Sequence, residues 1–378
     1  MSKISFIITT YNIENYILKC LKSVSMIVRP GDQIILVDDG STDATEAIIR
    51  EFSEGTGFID DVEVNHIFLG TNTYGGVGIG GNIGLREASR DTVFFVDGDD
   101  WLDVNAFREA RSYWSLHELD IMIANYKEYD QKNDIFKKPS DSQRWNNINH
   151  SANLEELRQV AVSFIAVPWR KFYRREFLLE NEILFPEGDF FFEDNPFHWD
   201  VCLYANSIGF FDKAICYHRI NRPGQTMTST GVELAAFFIH FDTIMNKIDK
   251  NRRDLKMSLS RWLLGNMTWQ LDRISESALY IYFSQASRAL QQIESSIWKE
   301  ELATTESSKR IWTTANRLRD GDIWGLIDQW KLDKMRIAMT EARGVFSDAL
   351  RTARENKKML QGANAALLFE AIASRKEI

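Results

Sequence analysis

Three carboxylates stand within four residues at Asp97-Gly98-Asp99-Asp100, directly after the apolar run TVFFV. Charges so close repel one another unless a cation or a cationic ligand neutralises them. Oxygen-only donors suit Mg²⁺ or Mn²⁺, which take one or two protein carboxylates and complete their shell with water and substrate phosphate oxygens. The cluster therefore points to a diphosphate-bearing substrate, although Asp and Gly after a strand also make ordinary turns and caps.

A second acidic pair, Glu193-Asp194, lies in FPEGDFFFEDNPFHW. Aromatic surroundings raise a carboxylate's pKa, which prepares a general base for a hydroxyl. Asp194 also precedes NPFHWDV, with Pro196 at an early helical position, so it reads equally as a helix N-cap. A third group, His218, Arg219 and Arg222, gathers in CYHRINRPGQTMTST. Arginine forks match phosphate oxygens, and positive charge there would offset a departing diphosphate.

Gly76, Gly78 and Gly81 in TYGGVGIGGNIG spell GxGxxG, the phosphate turn of dinucleotide-binding folds. In those folds the turn follows the first strand and a lone ribose acid comes later. Here it follows the third strand, and the acid at a suitable distance, Asp97, belongs to a cluster suited to a metal. A nicotinamide oxidoreductase is rejected on position. GxSxG and HExxH are absent, and His66, His117, His150, His198 and His240 are scattered, so covalent serine chemistry and a histidine zinc site find no support.

The elements that must position these groups alternate in type. Branched or aromatic runs at 4–10, 33–39, 62–69 and 92–98 read as strands, with helical stretches between them. Strands apolar on both faces indicate a mostly parallel sheet covered by helices, with ligands beyond the strands' carboxyl ends. Both acidic segments, VDDGSTD and VDGDDWLD, fall at such ends. Ser41 and Asp43 mark one helix start and Asp103 another. Residues 127–150 are polar and read as a long loop. Between 153 and 220 come a helix near 153–165, the block VPWRKFYRREFL, and a strand at FFDKAICYHRI.

Residues 232–378 contain no proline and read as four to six helices. Phe346, Leu350, Ala353, Leu360 and Leu367 form a helical stripe, whose commonest use is packing onto the same chain; an oligomer or membrane face is the other use. Trp262, Trp269, Trp298, Trp312, Trp324 and Trp330 suit core packing before sugar stacking.

Cys20, Cys202 and Cys216 form no disulfide framework or zinc pattern, which fits a reducing compartment. The N-terminus reads as a strand rather than a signal peptide, and no apolar run approaches the ~18 residues of a membrane span. Residues 1–230 hold 22 Lys+Arg against 35 Asp+Glu, whereas 231–378 hold 23 against 19. An acidic first half argues against a nucleic-acid groove; the basic second half offers a face to anionic lipid or polymer, or simply solvated helices.

Taken in order, ISFIITTYN, VDDGSTD, GGNIGLREAS and FFVDGDDWLD resemble the family 2 inverting glycosyltransferases of the GT-A fold, over roughly residues 3–230. The resemblance implies an α/β GT-A domain at 1–230, Rossmann-like with a mostly parallel sheet and flanking helices. A helical domain at 231–378 would then serve oligomerisation, membrane docking or partner docking. By similarity Thr9, Thr10 and Tyr11 begin the nucleotide pocket, Asp39 accepts from the base, and Asn82 lies on the donor side. Asp97 lies near ribose and metal, Asp99 ligates the metal and His218 completes its shell, with Mg²⁺ or Mn²⁺ as cofactor. Arg219 and Arg222 would hold the diphosphate, and Asp194 would be the catalytic base. Asp100, Trp169, Lys171 and Glu193 are expected on the acceptor side.

Two departures stand out: Arg170 replaces a small polar residue, and Gly81 stands where arginine is usual. The implied reaction is metal-dependent, inverting, hexosyltransferase-like transfer from a nucleotide sugar, UDP-linked by default, to a hydroxyl of a glycan or lipid-linked glycan. Its setting would be bacterial surface polysaccharide synthesis in the cytoplasm, with peripheral association at the inner membrane face and homo-oligomerisation as roles for the helices. A sugar nucleotidylyltransferase and an inactive glycan-binding protein of the same fold are the competing readings.

Overall fold

Runs of branched apolar residues become the central strands of the molecule. The computed structural model describes residues 2–55, 57–74, 76–188, 191–223, 230–303 and 309–373. Gly75, Asp189, Phe190 and the stretch 224–229 of CYHRINRPGQTMTST thus lie outside the described residues.

Strands β1 (Ile4–Thr10), β2 (Gln33–Asp38), β3 (Glu63–Phe68) and β4 (Thr92–Asp97) are parallel in the order β3-β2-β1-β4. Helices α1 (Ile17–Ser25), α2 (Thr45–Glu54) and α3 (Gly78–Glu87) connect them. β1, β2 and β4 are buried almost throughout, as strands covered on both faces must be, whereas β3 at the edge is half-exposed. Phe6, Phe94, Phe107 and Phe172 pack ring against ring in the core beneath this sheet.

Past β4 the sheet becomes mixed. A two-residue strand β5 (Trp101–Leu102) leads into α4 (Val104–Leu116), which Asp103 caps by accepting from Ala106 N at 2.9 Å. β6 (Ile121–Asp130) follows, and β7 (Ile135–Lys137) folds back on it. The loop expected over 127–150 is therefore in part a hairpin: Tyr126 and Tyr129 supply the apolar side that aliphatics would have signalled. After α5 (Leu154–Ala161), β8 (Lys171–Arg174) runs antiparallel between β4 and β6. α6 (Arg175–Glu180) and α7 (Asp194–Tyr204) precede β9 (Ile208–Ile220), parallel to β6 and antiparallel to β5.

The remainder is helical: α8 (Ala236–Lys247), α9 (Arg253–Arg273), α10 (Leu279–Gln292), a π-helical turn (Ile297–Leu302), α11 (Lys309–Arg319) and α12 (Ile323–Ala373). The strand signals stop near 230 as expected, but that is not where the compact units divide. One unit runs to Arg319 and the other from Asp320. Helices α8 to α11 belong with the sheet because Phe237, Phe241, Leu263, Met267 and Tyr282 are buried in the same unit. The second unit is essentially α12. Among the described residues no helix is long and apolar enough to cross a membrane.

Candidate active site

The register of the parallel strands lines up the expected donor residues. Thr10 pairs with Asp38 across β1 and β2, and Thr9 with Asp97 across β1 and β4, so all lie in one row at the carboxyl ends. Asp38 forms a turn, accepting from Ser41 N at 2.8 Å and from the Thr10 hydroxyl at 2.8 Å. Asp39 instead accepts from Thr73 N and the Thr73 hydroxyl, both at 2.9 Å, tying the strand end to the loop before α3. Burial raises its pKa against those bonds. Tyr11 beside it is 45% exposed, open to stack on a flat ligand.

Oxygens of Asp97, Asp99 and Asp100 lie within 4.8 Å of one another. Pairing of β5 with β9 sets Trp101 against Tyr217, which delivers the preceding Asp100 to His218. Asp100 Oδ2 meets His218 Nδ1 at 2.8 Å, and its Oδ1 accepts from Arg219 N at 2.7 Å. Asp99 is paired with the Arg222 guanidinium. Arg219 Nε donates to the Asp99 carbonyl at 3.0 Å, and its guanidinium lies over Tyr16, Trp101 and Tyr129. Arg219 and Arg222 thus brace the acidic turn.

Electrostatics agree with a cation site. Burial first, then the Asp100 and Asp99 charges, pushes Asp97 well above the carboxylate range. Burial lowers the His218 imidazole, but Asp100, Asp99 and Asp97 outweigh it and hold its pKa near about 9. Arg222 and His218 face two of the three carboxylates, and among the described residues no cation is paired with Asp97. An all-oxygen donor set with one charge uncompensated fits a hard divalent ion. His218 Nδ1 is taken by Asp100, the arrangement that orients a metal-binding imidazole through its other nitrogen.

Asp194 opens α7 on the other side of the site, and its charge adds to the repulsion at Asp97. Burial raises its pKa to about 6, with Lys171 acting in the opposite sense. Asn195 Nδ2 donates to Asp194 Oδ1 at 2.8 Å, while Trp262 Nε1 on α9 donates to Asn195 Oδ1 at 3.1 Å. Phe192, three residues before Asn195, has a left-handed φ of +68°, which a non-glycine residue holds only when its surroundings enforce it. Those surroundings come from the helices: Phe192 packs on Phe237 and Trp269, and the Phe191 carbonyl meets His240 Nε2 at 2.8 Å. Sequence reasoning assigned α8 and α9 no part in the site. They shape the loop that carries the candidate base from 45 to 77 residues downstream, where nothing local could have signalled it.

The glycine motif finds its purpose at the same loop. Gly78 N, at the first turn of α3, donates to Glu193 Oε1 at 2.9 Å, placing a carboxylate at the positive end of that helix. A Cβ on Gly76 would lie 2.3 Å from Glu193 Oε1, and one on Gly78 2.7 Å from Glu193 Cγ and 3.1 Å from Phe185 Cβ. The glycines admit Glu193, not a pyrophosphate. Gly78→Ala is expected to expel Glu193 and lower stability by about 1–3 kcal/mol, read as a reduced urea midpoint.

Other residues expected at the site have their polar atoms taken up within the protein. Asn82, placed on the donor side by resemblance, is fully buried; it donates to the Phe185 carbonyl at 2.8 Å and Glu187 Oε1 at 2.9 Å, and accepts from Phe185 N at 2.9 Å. Its amide staples α3 to the chain before Glu193. Trp169 is 4% exposed and stacks under His218 at 4.8 Å, so it supports that ring rather than walling an acceptor cleft. Lys171 is fully buried, donating to the Ala166 carbonyl at 3.1 Å and the Val167 carbonyl at 2.6 Å, and burial lowers its pKa to about 7. Asp100 and Glu193 spend their carboxylates on His218, Arg219 and Gly78. All four residues expected on the acceptor side are buried.

The family model for glycosyl transferase family 2 matches residues 5–180, the segment that holds the acidic turn and the strands around it. Over that segment the chain is similar to glycosyl transferase family 2. A glycosyltransferase of Streptococcus pneumoniae, GlyA, is 28% identical over 225 residues, covering 58% of this chain and 31% of that protein. The poly(ribitol-phosphate) beta-N-acetylglucosaminyltransferase TarS of Staphylococcus aureus is 28% identical over 243 residues, covering 63% of this chain and 39% of that protein. The chain thus spans well under half the length of either relative. The crystal structure of S. aureus TarS 1–349 in complex with UDP-GlcNAc shares its fold, with a TM-score of 0.64 at 22% identity, over 84% of this chain and 92% of that one.

Proposed function

We propose that the protein is an inverting glycosyltransferase that moves a sugar from a UDP-linked donor to an acceptor hydroxyl. The observation that carries this reading is Asp194: a carboxylate with a raised pKa, braced at one side of a site whose other side is a cation-ready acidic turn. Asp194 takes the acceptor proton as that oxygen attacks the anomeric carbon, while Arg219 and Arg222 lend positive charge to the leaving nucleoside diphosphate. Asp97 and Asp99, with His218, would hold Mg²⁺ or Mn²⁺, whose charge would stabilise the same leaving group. Thr9, Thr10, Tyr11 and Asp39 frame the nucleotide at the strand ends.

UDP as the nucleotide is supported by the TarS complex with UDP-GlcNAc; the acceptor in this reading is a glycan or lipid-linked glycan, where TarS's own name gives poly(ribitol-phosphate). The protein then works in the cytoplasm, at the inner membrane face where such acceptors are built. The deciding experiment is a panel of nucleotide sugars with Mg²⁺ or Mn²⁺, scored for nucleoside diphosphate release. Release from a UDP-sugar is expected. Pyrophosphate release from a nucleoside triphosphate and a sugar phosphate would favour nucleotidyl transfer, and silence with every donor a non-catalytic binder.

The pH dependence has a definite sign. A base whose pKa is raised to about 6 is neutral below that pH, so kcat/KM rises as pH increases through about 6. Burial sets that value and the Lys171 charge restrains it. In Lys171→Met the acid limb of the profile is expected to move to higher pH, because the cation favouring ionised Asp194 is gone.

A further inference from the structure

Helix α12 carries an apolar seam that nothing in the described chain covers. From Leu332 the positions 332, 335, 339, 342, 346, 349, 353, 356, 360, 363 and 367, alternately three and four apart, are apolar in every case but Asn356. Leu332 is 50% exposed, Phe346 67%, Leu360 65% and Leu367 64%. The helix is 51 residues long, and Gly344 and Gly362, which weaken a helix interior, both lie off the seam. Helices of this kind owe most of their stability to packing an apolar face, and this face repeats every 3.5 residues, the period of a coiled coil.

We propose that this seam pairs with the same seam of a second copy of the chain, in parallel and in register. Three features select that occupant. A strict heptad keeps a narrow stripe facing another helix along its whole length, which a lipid surface does not require. In register, Asn356 meets Asn356 and each amide finds a partner; against apolar side chains or lipid it would be stranded. Charge sets direction: one flank of the seam carries Arg336, Arg343 and Lys357, the other, after Lys331 at its start, only uncharged residues, Ala338, Val345, Thr352 and Met359. Parallel pairing lays the basic flank beside the uncharged one, whereas antiparallel pairing sets basic flank against basic flank. The seam is about 50 Å long and a helix about 10 Å wide, so pairing covers on the order of 1,000 Å² in total, the size at which specific interfaces begin.

Sedimentation equilibrium of the full chain tests the pairing, and engineered cysteines test its register. Wild type is expected at twice the 43.8 kDa of one chain, and Phe346→Lys/Leu360→Lys at the mass of one. The native cysteines are buried, so an added one reports alone. Asn356→Cys is expected to form a disulfide-linked dimer on mild oxidation, and Lys358→Cys, on the far side of the helix, is not. A wild-type mass of one chain overturns the proposal, as does a dimer in which Asn356→Cys fails to cross-link. Single-chain mass with co-sedimentation on phosphatidylglycerol vesicles overturns it in favour of a lipid surface. None of these readouts depends on sugar transfer, so the proposal stands or falls apart from the proposed reaction.

Discussion

Asp194→Asn is expected to lower sugar transfer by about 10²- to 10⁴-fold, the usual contribution of a positioned general base, and to leave donor affinity as it was. The amide has nearly the shape of the carboxylate and can stay within reach of Asn195, so the loop keeps its form while the proton acceptor is lost. Calorimetric titration of the donor beside nucleoside diphosphate release under single-turnover conditions separates the two effects. Unchanged turnover would remove Asp194 from the chemistry. Loss of donor binding would instead give it a part in holding the nucleotide sugar.

The second large effect is one of stability. Arg170 and Asp141 are both fully buried and joined at 2.6 Å; Arg170 Nε also donates to the Ala124 carbonyl at 2.7 Å, and its guanidinium lies against Tyr126, Trp145 and Phe164. Asp141→Ala leaves that guanidinium uncompensated away from water and is expected to cost about 3–5 kcal/mol, seen as a lower urea midpoint. Arg170→Met added to Asp141→Ala is expected to recover most of the loss, since the buried charge goes with its partner. Activity follows stability here: Arg170 stands between Trp169 beneath His218 and Lys171 near Asp194, so its anchor fixes both supports.

The parallel strands, the caps and the acidic turn were legible because local pattern specifies them. A run such as ISFIITT can be buried on both faces only as an interior strand, and Asp97, Asp99 and Asp100 can sit together only where charge is compensated. The hairpin at 121–137 was not legible, because its apolar side is aromatic and intermittent. Arg170 was visible as an odd residue, but its partner Asp141 lies across a turn that no periodicity marks. The glycine pattern matched a phosphate turn and was set aside on position, but nothing local showed what the glycines are for. Their requirement comes from Glu193, 115 residues away from Gly78.

Which residues touch a substrate and which hold those residues still is a question of long-range packing. Asn82, Trp169, Lys171, Asp100 and Glu193 have the chemistry of contact residues, yet the fold buries them and spends their polar atoms on one another's loops. Trp262 and Phe237 have the chemistry of core residues, yet they brace the turn that carries Asp194. Residue types and spacing were enough to show which reactive groups the chain contains and at which strand ends they gather, because charge repulsion and strand periodicity act over a few residues. Only the folded chain could assign each group its role, because that assignment depends on who fills the other half of each hydrogen bond, and those partners lie up to 123 residues away.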